Sequence, residues 1–253
     1  MDNRSQLIPK LKSLRLSGVL ETLEVRNRQA LDEKLAYVEF LERLLEDEIE
    51  RRAHKQLVMR LRRAAFTGEK TLEGFDWSFN PNLNRRQIQD LATCQWIERK
   101  EVVLIVGPSG VGKSHLAQAL GHEACRRGCQ VLFTSVVKML THLNGGRADG
   151  TRERRLATFL RPDLLILDDY GLTPLRGPAP EDFYEIINER YERGSLLVTS
   201  NRDYSEWPAA FVDNPLLASA ALDRLAHRAH RITITGASYR AHQRPGAMLQ
   251  TIE

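Results

Sequence analysis

Between residues 33 and 63 apolar side chains recur at three- and four-residue steps, at Leu41, Leu44, Leu45, Ile49, Leu57 and Leu61. That spacing lines one face of an amphipathic helix and predicts a single long helix over residues 33–63, with Asp32 as its N-cap. Two shorter stretches precede it: Leu7, Leu11 and Leu14 mark a helix ending near Gly18, and Val19, Leu20 and Leu23 begin a second. Residues 1–66 therefore read as a small all-α domain.

The period changes after residue 100. Short apolar runs at Val102–Val106, Val131–Ser135, Leu164–Asp168, Ser195–Ser200 and Arg231–Thr235 alternate with helical segments. Near-continuous apolar strands separated by helices predict an α/β fold over residues 101–253, a parallel five-stranded sheet with helices on both faces. Residues 67–100 read as a linker and a helix leading into the first strand. In that linker Phe75, Trp77 and Phe79 stand beside the turn residues Asn80-Pro81-Asn82. Such aromatics suit either the wall of an adenine pocket or a plug in the seam between two domains.

The first strand runs directly into Gly107-Pro108-Ser109-Gly110-Val111-Gly112-Lys113-Ser114, followed by the helical pattern Leu116, Ala117, Leu120. This fits G-x-x-x-x-G-K-S/T at every defined position and in the strand-to-helix context that a phosphate-binding loop requires. Glycines at 107, 110 and 112 let the backbone turn its N–H groups inward as an anion nest, and the helix start adds its positive dipole end. The cradle for a nucleotide runs through His115; Lys113 reaches the β- and γ-phosphates, and the Ser114 hydroxyl is a ligand for Mg²⁺. Ser109 lacks the G-x-S-x-G frame of an esterase elbow.

The third strand ends in two carboxylates. Asp168 is the metal-side residue, close to the Mg²⁺ that Ser114 holds, and Asp169 is placed to orient or deprotonate an attacking water. Asn201 follows the fourth strand at the same sheet edge, where a neutral amide can hold that water or a γ-phosphate oxygen.

Composition is ordinary, 42% hydrophobic and 28% charged. No apolar run approaches the roughly 20 residues of a membrane span, and "MDNRSQ" lacks a signal-peptide core, so a cytoplasmic protein without a membrane partner is expected. Cys94, Cys125 and Cys129 form no C-x-x-C pair and read as buried, reduced thiols. His227 and His230 share a helix spacing without a third ligand, and read as surface histidines rather than a metal site. The formal net charge is +4, carried by 29 arginines against eight lysines. Guanidinium favours phosphate, although arginine-rich codon usage explains the count equally well. The long helix is polarised, with Glu39, Glu42, Glu46, Asp47, Glu48 and Glu50 in one half and Arg51, Arg52, Lys55, Arg60, Arg62 and Arg63 in the other. That fits a solvated helix matched to its dipole, a DNA-facing end, or a contact between protomers.

The loop at 107–114, "LLILDDYG", "VTSNR", "LDRL" and "GASYR", in this order behind a helical N-terminal segment, resemble the IstB-like transposition helper ATPases. These belong to the DnaA/DnaC-like initiator and helicase-loader branch of the AAA+ superfamily. The resemblance spans nearly the whole chain, including "TLEGFDWSFNPNL". It implies a Mg²⁺-dependent ATP hydrolase that oligomerises on duplex DNA, with ATP sites between protomers, and assists a cognate transposase in selecting target DNA. A replicative helicase loader shares the same ATP chemistry; a P-loop small-molecule kinase would add an acceptor motif and an arginine-rich lid, neither of which is visible. By resemblance Asn201 is the sensor-one residue, Arg224 of "LDRL" is the arginine finger given to a neighbour's ATP, and Arg240 of "GASYR" is the second sensor arginine. The branch is similar in inserting a helical wedge after the second strand, here Val136–Leu160. Its Lys138, Arg147, Arg152, Arg154 and Arg155 are the expected contacts with the DNA backbone, largely independent of sequence. With thirteen residues beyond "GASYR", no separate helical lid is expected.

Overall fold

The computed structural model describes residues 3–212 and 214–239. The chain divides into two compact units, Met1–Met59 and Arg60–Glu253. The first contains α1 (Asn3–Ser13), α2 (Ser17–Glu33) and most of α3 (Tyr37–Ala64). Asp32 is therefore not the cap of a helix running from residue 33; it lies in the last turn of α2. The chain breaks at Lys34, left-handed at φ 55°, whose N–H returns to the Ala30 carbonyl. No glycine or proline marks that break in the sequence.

Gly18 is likewise not a terminator of α1. It sits in the first turn of α2, where an added Cβ would stand 2.6 Å from the Glu48 Cα. That close approach lets the Glu48 carboxylate accept the N–H groups of Gly18 at 2.5 Å and Val19 at 3.3 Å. Two donors left open at the start of α2 are thereby satisfied by an acid that also suits the dipole. Burial alone would raise the Glu48 carboxyl, but these N–H groups and Arg52 hold it below its ordinary value. Asp47 takes Arg26 through two bonds, of 2.9 and 2.6 Å. Acids of α3 that read as a solvated face thus fasten α2, over a small core of Leu11, Val19 and Leu44.

The second unit contains α4 (Arg85–Ala92), α5 (Gln95–Glu98), β1 (Val102–Val106), α6 (Lys113–Arg126), β2 (Val131–Ser135), α7 (Val136–Ala148), α8 (Arg152–Leu160), β3 (Leu164–Tyr170), α9 (Ala179–Arg190), β4 (Ser195–Ser200), α10 (Pro215–Ala226) and β5 (Ala229–Thr233). The five strands are parallel in the order β2-β3-β4-β1-β5. β5 starts two residues before the expected Arg231. It is an edge strand, where polar residues such as His230 are tolerated, so the apolar pattern does not mark its beginning.

Side chains alternate across the sheet. Leu104, Leu165, Leu167, Leu196 and Val198 join Met139, Phe159, Phe183 and Leu222 in the core beneath α7, α8, α9 and α10. On the other face Ile166 meets α6 at Gly121, where a Cβ would come within 2.8 Å of it. Arg190 at the end of α9 is 1% exposed. It donates to the carbonyls of Phe159, Leu160, Asp163 and Ser195, tying the end of α8 to the starts of β3 and β4. Among the described residues no helix is long and apolar enough to cross a membrane.

Candidate nucleotide-binding site

β1 delivers the chain into the loop at 107–112. Gly107 has φ 150° and Gly110 φ 85°. A Cβ on Gly107 would lie 2.1 Å from the Ile234 carbonyl oxygen, and one on Gly110 would lie 2.0 Å from the Ser238 hydroxyl. The chain after β5 therefore presses on the loop from outside, and Tyr239 N–H donates to the Gly110 carbonyl at 3.0 Å. From the other side the buried Asn80 amide donates to the Val111 carbonyl at 2.9 Å. The Lys113 ammonium folds back to the Pro108 carbonyl at 2.7 Å.

At the start of α6 the Ser114 hydroxyl donates to Asp168 Oδ1 at 2.9 Å, and the Thr199 hydroxyl donates to the same oxygen. The ladder between β3 and β4 pairs Leu167 with Val198 and then Tyr170 with Ser200. Three steps on one strand match two on the other, so one extra residue is accommodated at Asp168–Asp169 as a β-bulge. Asp169 adopts φ 59° and its N–H donates to Thr199 Oγ1 at 3.1 Å. In a regular strand consecutive side chains point to opposite faces. The bulge brings both acids to one cleft instead.

That cleft has a volume of about 1210 Å³ and is lined by residues 109–115, Asp168, Asp169 and Asn201, together with Phe75, Phe79 and Lys138. Gly107 and Pro108 shape the loop without lining the cleft. The His115 ring meets the Thr71 carbonyl at 3.0 Å and Phe75 edge-on. Trp77 packs against Phe75 and lies under the Arg85 guanidinium. The Ser114 hydroxyl at the start of α6 and the Asp168 carboxylate of β3, side by side, are hard oxygen donors of the kind Mg²⁺ takes alongside substrate phosphates and waters.

The IstB-like ATP binding protein family matches residues 9–247. The chain belongs to this family. An insertion-sequence ATP-binding protein of Mycobacterium tuberculosis is 43% identical over 237 residues, covering 93% of this chain and 94% of that protein. The IS21 ATP-binding protein of Pseudomonas aeruginosa is 36% identical over 245 residues, covering 97% and 91%. Among solved structures, AMPPCP-bound DnaA from Aquifex aeolicus matches with a TM-score of 0.57 at 22% identity, over 70% of this chain and 54% of that one. DnaI matches with a TM-score of 0.56 at 21% identity, over 67% and 90%. These two share the P-loop AAA+ fold, and the IstB-like family binds ATP.

In this IstB-like chain Arg224 is not brought to the cleft. It lies at the opposite pole of the sheet, beside Val102 and Leu196 where β1 and β4 begin. Its guanidinium donates to the Ala220 carbonyl at 2.8 Å and faces the rings of Tyr184 at 5.4 Å and Tyr191 at 5.9 Å. Arg240 lies outside the described residues.

The wedge differs from the expectation of five free cations. Arg147 pairs with both oxygens of Asp182, which is 1% exposed; Arg152 pairs with Asp182 at 2.7 Å and with Glu185. Arg155 pairs with Asp149 at 2.5 Å and donates to the His142 carbonyl at 2.8 Å. These three arginines hold α7 and α8 to α9 and to each other. Lys138 and Arg154 are exposed and, among the described residues, have no carboxylate partner.

His227 and His230 do not converge: one meets the Tyr191 hydroxyl at 3.1 Å, the other the Glu101 carboxylate at 2.7 Å. Cys94 and Cys125 are buried free thiols pushed up to about 12 by burial. Thr199 and Gln118 carry no motif of their own. Gln118 accepts the Thr67 N–H at 2.7 Å and donates to the Ser114 carbonyl at 3.1 Å. Thr199 stands two residues before Asn201 on the strand beside β3, and that register is the one sequence signal that points to it.

Proposed function

We propose that this IstB-like chain is a Mg²⁺-dependent ATPase of the cytoplasm that assembles on duplex DNA and helps a partner transposase choose its target DNA. The observation that carries the reading is the pair Asp168 and Asp169, turned by the bulge into the cleft that Lys113 and Ser114 line. A protein that only held ATP would need the loop; the second acid adds a base for water.

Ser114 and Asp168 would hold Mg²⁺, which when bound neutralises charge on the β- and γ-phosphate oxygens. The Ser114 hydroxyl keeps its proton and directs it to Asp168 Oδ1, which would leave the hydroxyl oxygen's lone pairs for the metal. Lys113 exchanges the Pro108 carbonyl for phosphate oxygens. Asp169 takes the proton of the attacking water, and the Asn201 amide orients that water. In this reading Arg224, remote from its own cleft, serves the nucleotide of a neighbour; an arginine finger of that kind is worth about 10³–10⁵ in rate. Arg240 acts as the second sensor in the same scheme. Lys138 and Arg154 are the wedge cations left to meet DNA phosphates. The relatives at 43% and 36% identity are both insertion-sequence proteins, which supports a transposase as the partner.

Asp169→Asn tests the reading. ATP and DNA binding should persist while turnover falls by about 10²–10⁴, the usual contribution of a general base; normal turnover would defeat the assignment. Arg224→Ala should lose turnover and regain it when mixed with Asp169→Asn chains, which retain their arginine. Binding to duplex and single strands of about 60 nucleotides at two salt concentrations checks the DNA component. A single-strand preference would favour a helicase loader instead.

A further inference from the structure

On the side away from β3, β4 keeps a regular register. Thr199 pairs with Ile105 and Ser200 with Val106 of β1, and the Gly107 N–H donates to the Ser200 carbonyl at 3.2 Å. The irregularity between β3 and β4 is therefore taken up within β3, at Asp168–Asp169. Both ends of that bulge are anchored. Leu167 before it is buried opposite Val198; Tyr170 after it packs against Phe183 and Trp207, and its hydroxyl donates to the Trp207 carbonyl at 3.1 Å.

Two consecutive hydroxyls of β4 make up for the ladder bonds that the bulge disturbs. Ser200 Oγ donates to the Tyr170 carbonyl at 2.8 Å and accepts the Arg202 N–H at 3.1 Å. Thr199 Oγ1 accepts the Asp169 N–H at 3.1 Å and donates to Asp168 Oδ1. A hydroxyl has one proton and two lone pairs, so these two bonds together set its direction. Thr199 and Ser200 are both 0% exposed, which leaves no solvent to replace a lost bond.

Buried backbone groups need partners, and that need alone accounts for Ser200, whose two bonds both go to main-chain groups. It does not account for Thr199. Its hydroxyl also reaches the Asp168 side chain, and the amide it accepts belongs to a residue at φ 59°. A side-chain-bearing residue keeps that conformation only where its surroundings over-determine it. Thr199 is not among the residues lining the cleft, so any influence on chemistry passes through the acids it holds.

We propose that Thr199 is a positioning residue for hydrolysis, clasping the bulge so that the Asp169 carboxylate stays aimed at the attacking water. It acts through Asp169 and touches neither nucleotide nor water. The assignment rests on the function proposed above, in which Asp169 takes the proton of that water.

The test is steady-state ATP turnover of the full chain with duplex DNA and saturating Mg²⁺, comparing the unsubstituted protein with Thr199→Val, Thr199→Ser, Asp169→Asn and the double variant Thr199→Val, Asp169→Asn. Valine keeps the shape of threonine and removes the hydroxyl. In Thr199→Val kcat should fall by about ten-fold or more, toward the roughly 10² that a displacement of about 1 Å costs, with equilibrium ATP affinity unchanged. Thr199→Ser should restore the rate, because serine offers the same donor and acceptor. In the Asp169→Asn background the valine should cost nothing further, since a residue acting through Asp169 has nothing left to position. Normal kcat in Thr199→Val, no rescue by serine, or a full additional loss in the double variant each overturns the proposal; the last would move Thr199's influence to Asp168. If the valine chain does not fold, Thr199→Ala takes its place in the same cycle with the same outcomes. An unsubstituted chain that hydrolyses no ATP defeats the proposed function and this role with it, whereas an active chain indifferent to valine at 199 defeats this role alone.

Discussion

Arginines gather in two places in the second unit, and their surroundings differ. In α7 and α8, Arg147, Arg152 and Arg155 meet Asp182, Glu185 and Asp149. At the turns before β1, β4 and β5, Arg99, Lys100, Arg224 and Arg228 meet no carboxylate among the described residues. The denser run along the sequence is the internally neutralised one. Whether an arginine is available to a ligand depends on which acids the fold brings to it, and Asp182 comes from another helix 30 residues beyond Arg152.

Removing the central acid should have the largest effect. Asp182→Ala leaves Arg147 and Arg152 without their shared partner, and a loss of about 3 kcal/mol is expected, the lower end for a broken buried pair because both arginines keep some access to water. The urea midpoint measures it; an unmoved midpoint would reduce these contacts to surface pairs. At the contrasting pole Arg228→Gly should stabilise the chain by about 0.5 kcal/mol, since relief of a left-handed side-chain residue outweighs the added freedom of the unfolded glycine. A destabilised variant would show that Arg228 holds the turn together.

Acid should act on the first region only. The Thr151 hydroxyl, opposed by some desolvation and helped by the Thr151 N–H and Arg155, holds the Asp149 carboxyl below its ordinary 3.8. Because the folded value is the lower one, its contribution is complete above pH 3.8 and disappears as the pH falls through the depressed value. Asp149→Asn should flatten that part of the pH–stability curve, and an unaltered acid limb would deny the pairing. The smallest stability effect belongs to Arg154→Ala, within about 0.5 kcal/mol. Its salt slope for duplex DNA should nonetheless fall by about 1; an unchanged slope would remove Arg154 from the DNA contacts.

Contiguity explains what was legible from sequence. The parallel α/β sheet, its first four strands and the loop at 107–114 are written in consecutive residues, and the apolar runs of β1, β3 and β4 are buried on both faces. The break at Lys34 was hidden because a lysine carries a conformation usually left to glycine or asparagine. Gly18 looked like a stop signal, and only its contact with Glu48 shows that it makes room for another helix. β5 was placed late because an edge strand tolerates polar residues. The carboxylate pair was visible, but the bulge that aims it was not, since a bulge is a relation between β3 and the register of β4. The ion pairs of the wedge and the burial of Arg190 depend likewise on partners far along the chain.

The left-handed backbone at Asp169 also restricts how this site can drift over generations of sequence change. Few side-chain-bearing residues are common at that conformation, chiefly asparagine, aspartate and histidine, while others bear a penalty of about 1–2 kcal/mol. Exchange of aspartate for glutamate, elsewhere among the easiest of acid replacements, therefore carries a backbone cost at 169 of the kind Glu192 already bears at φ 58°. At this position the main chain narrows the choice of acid before the chemistry makes its own selection.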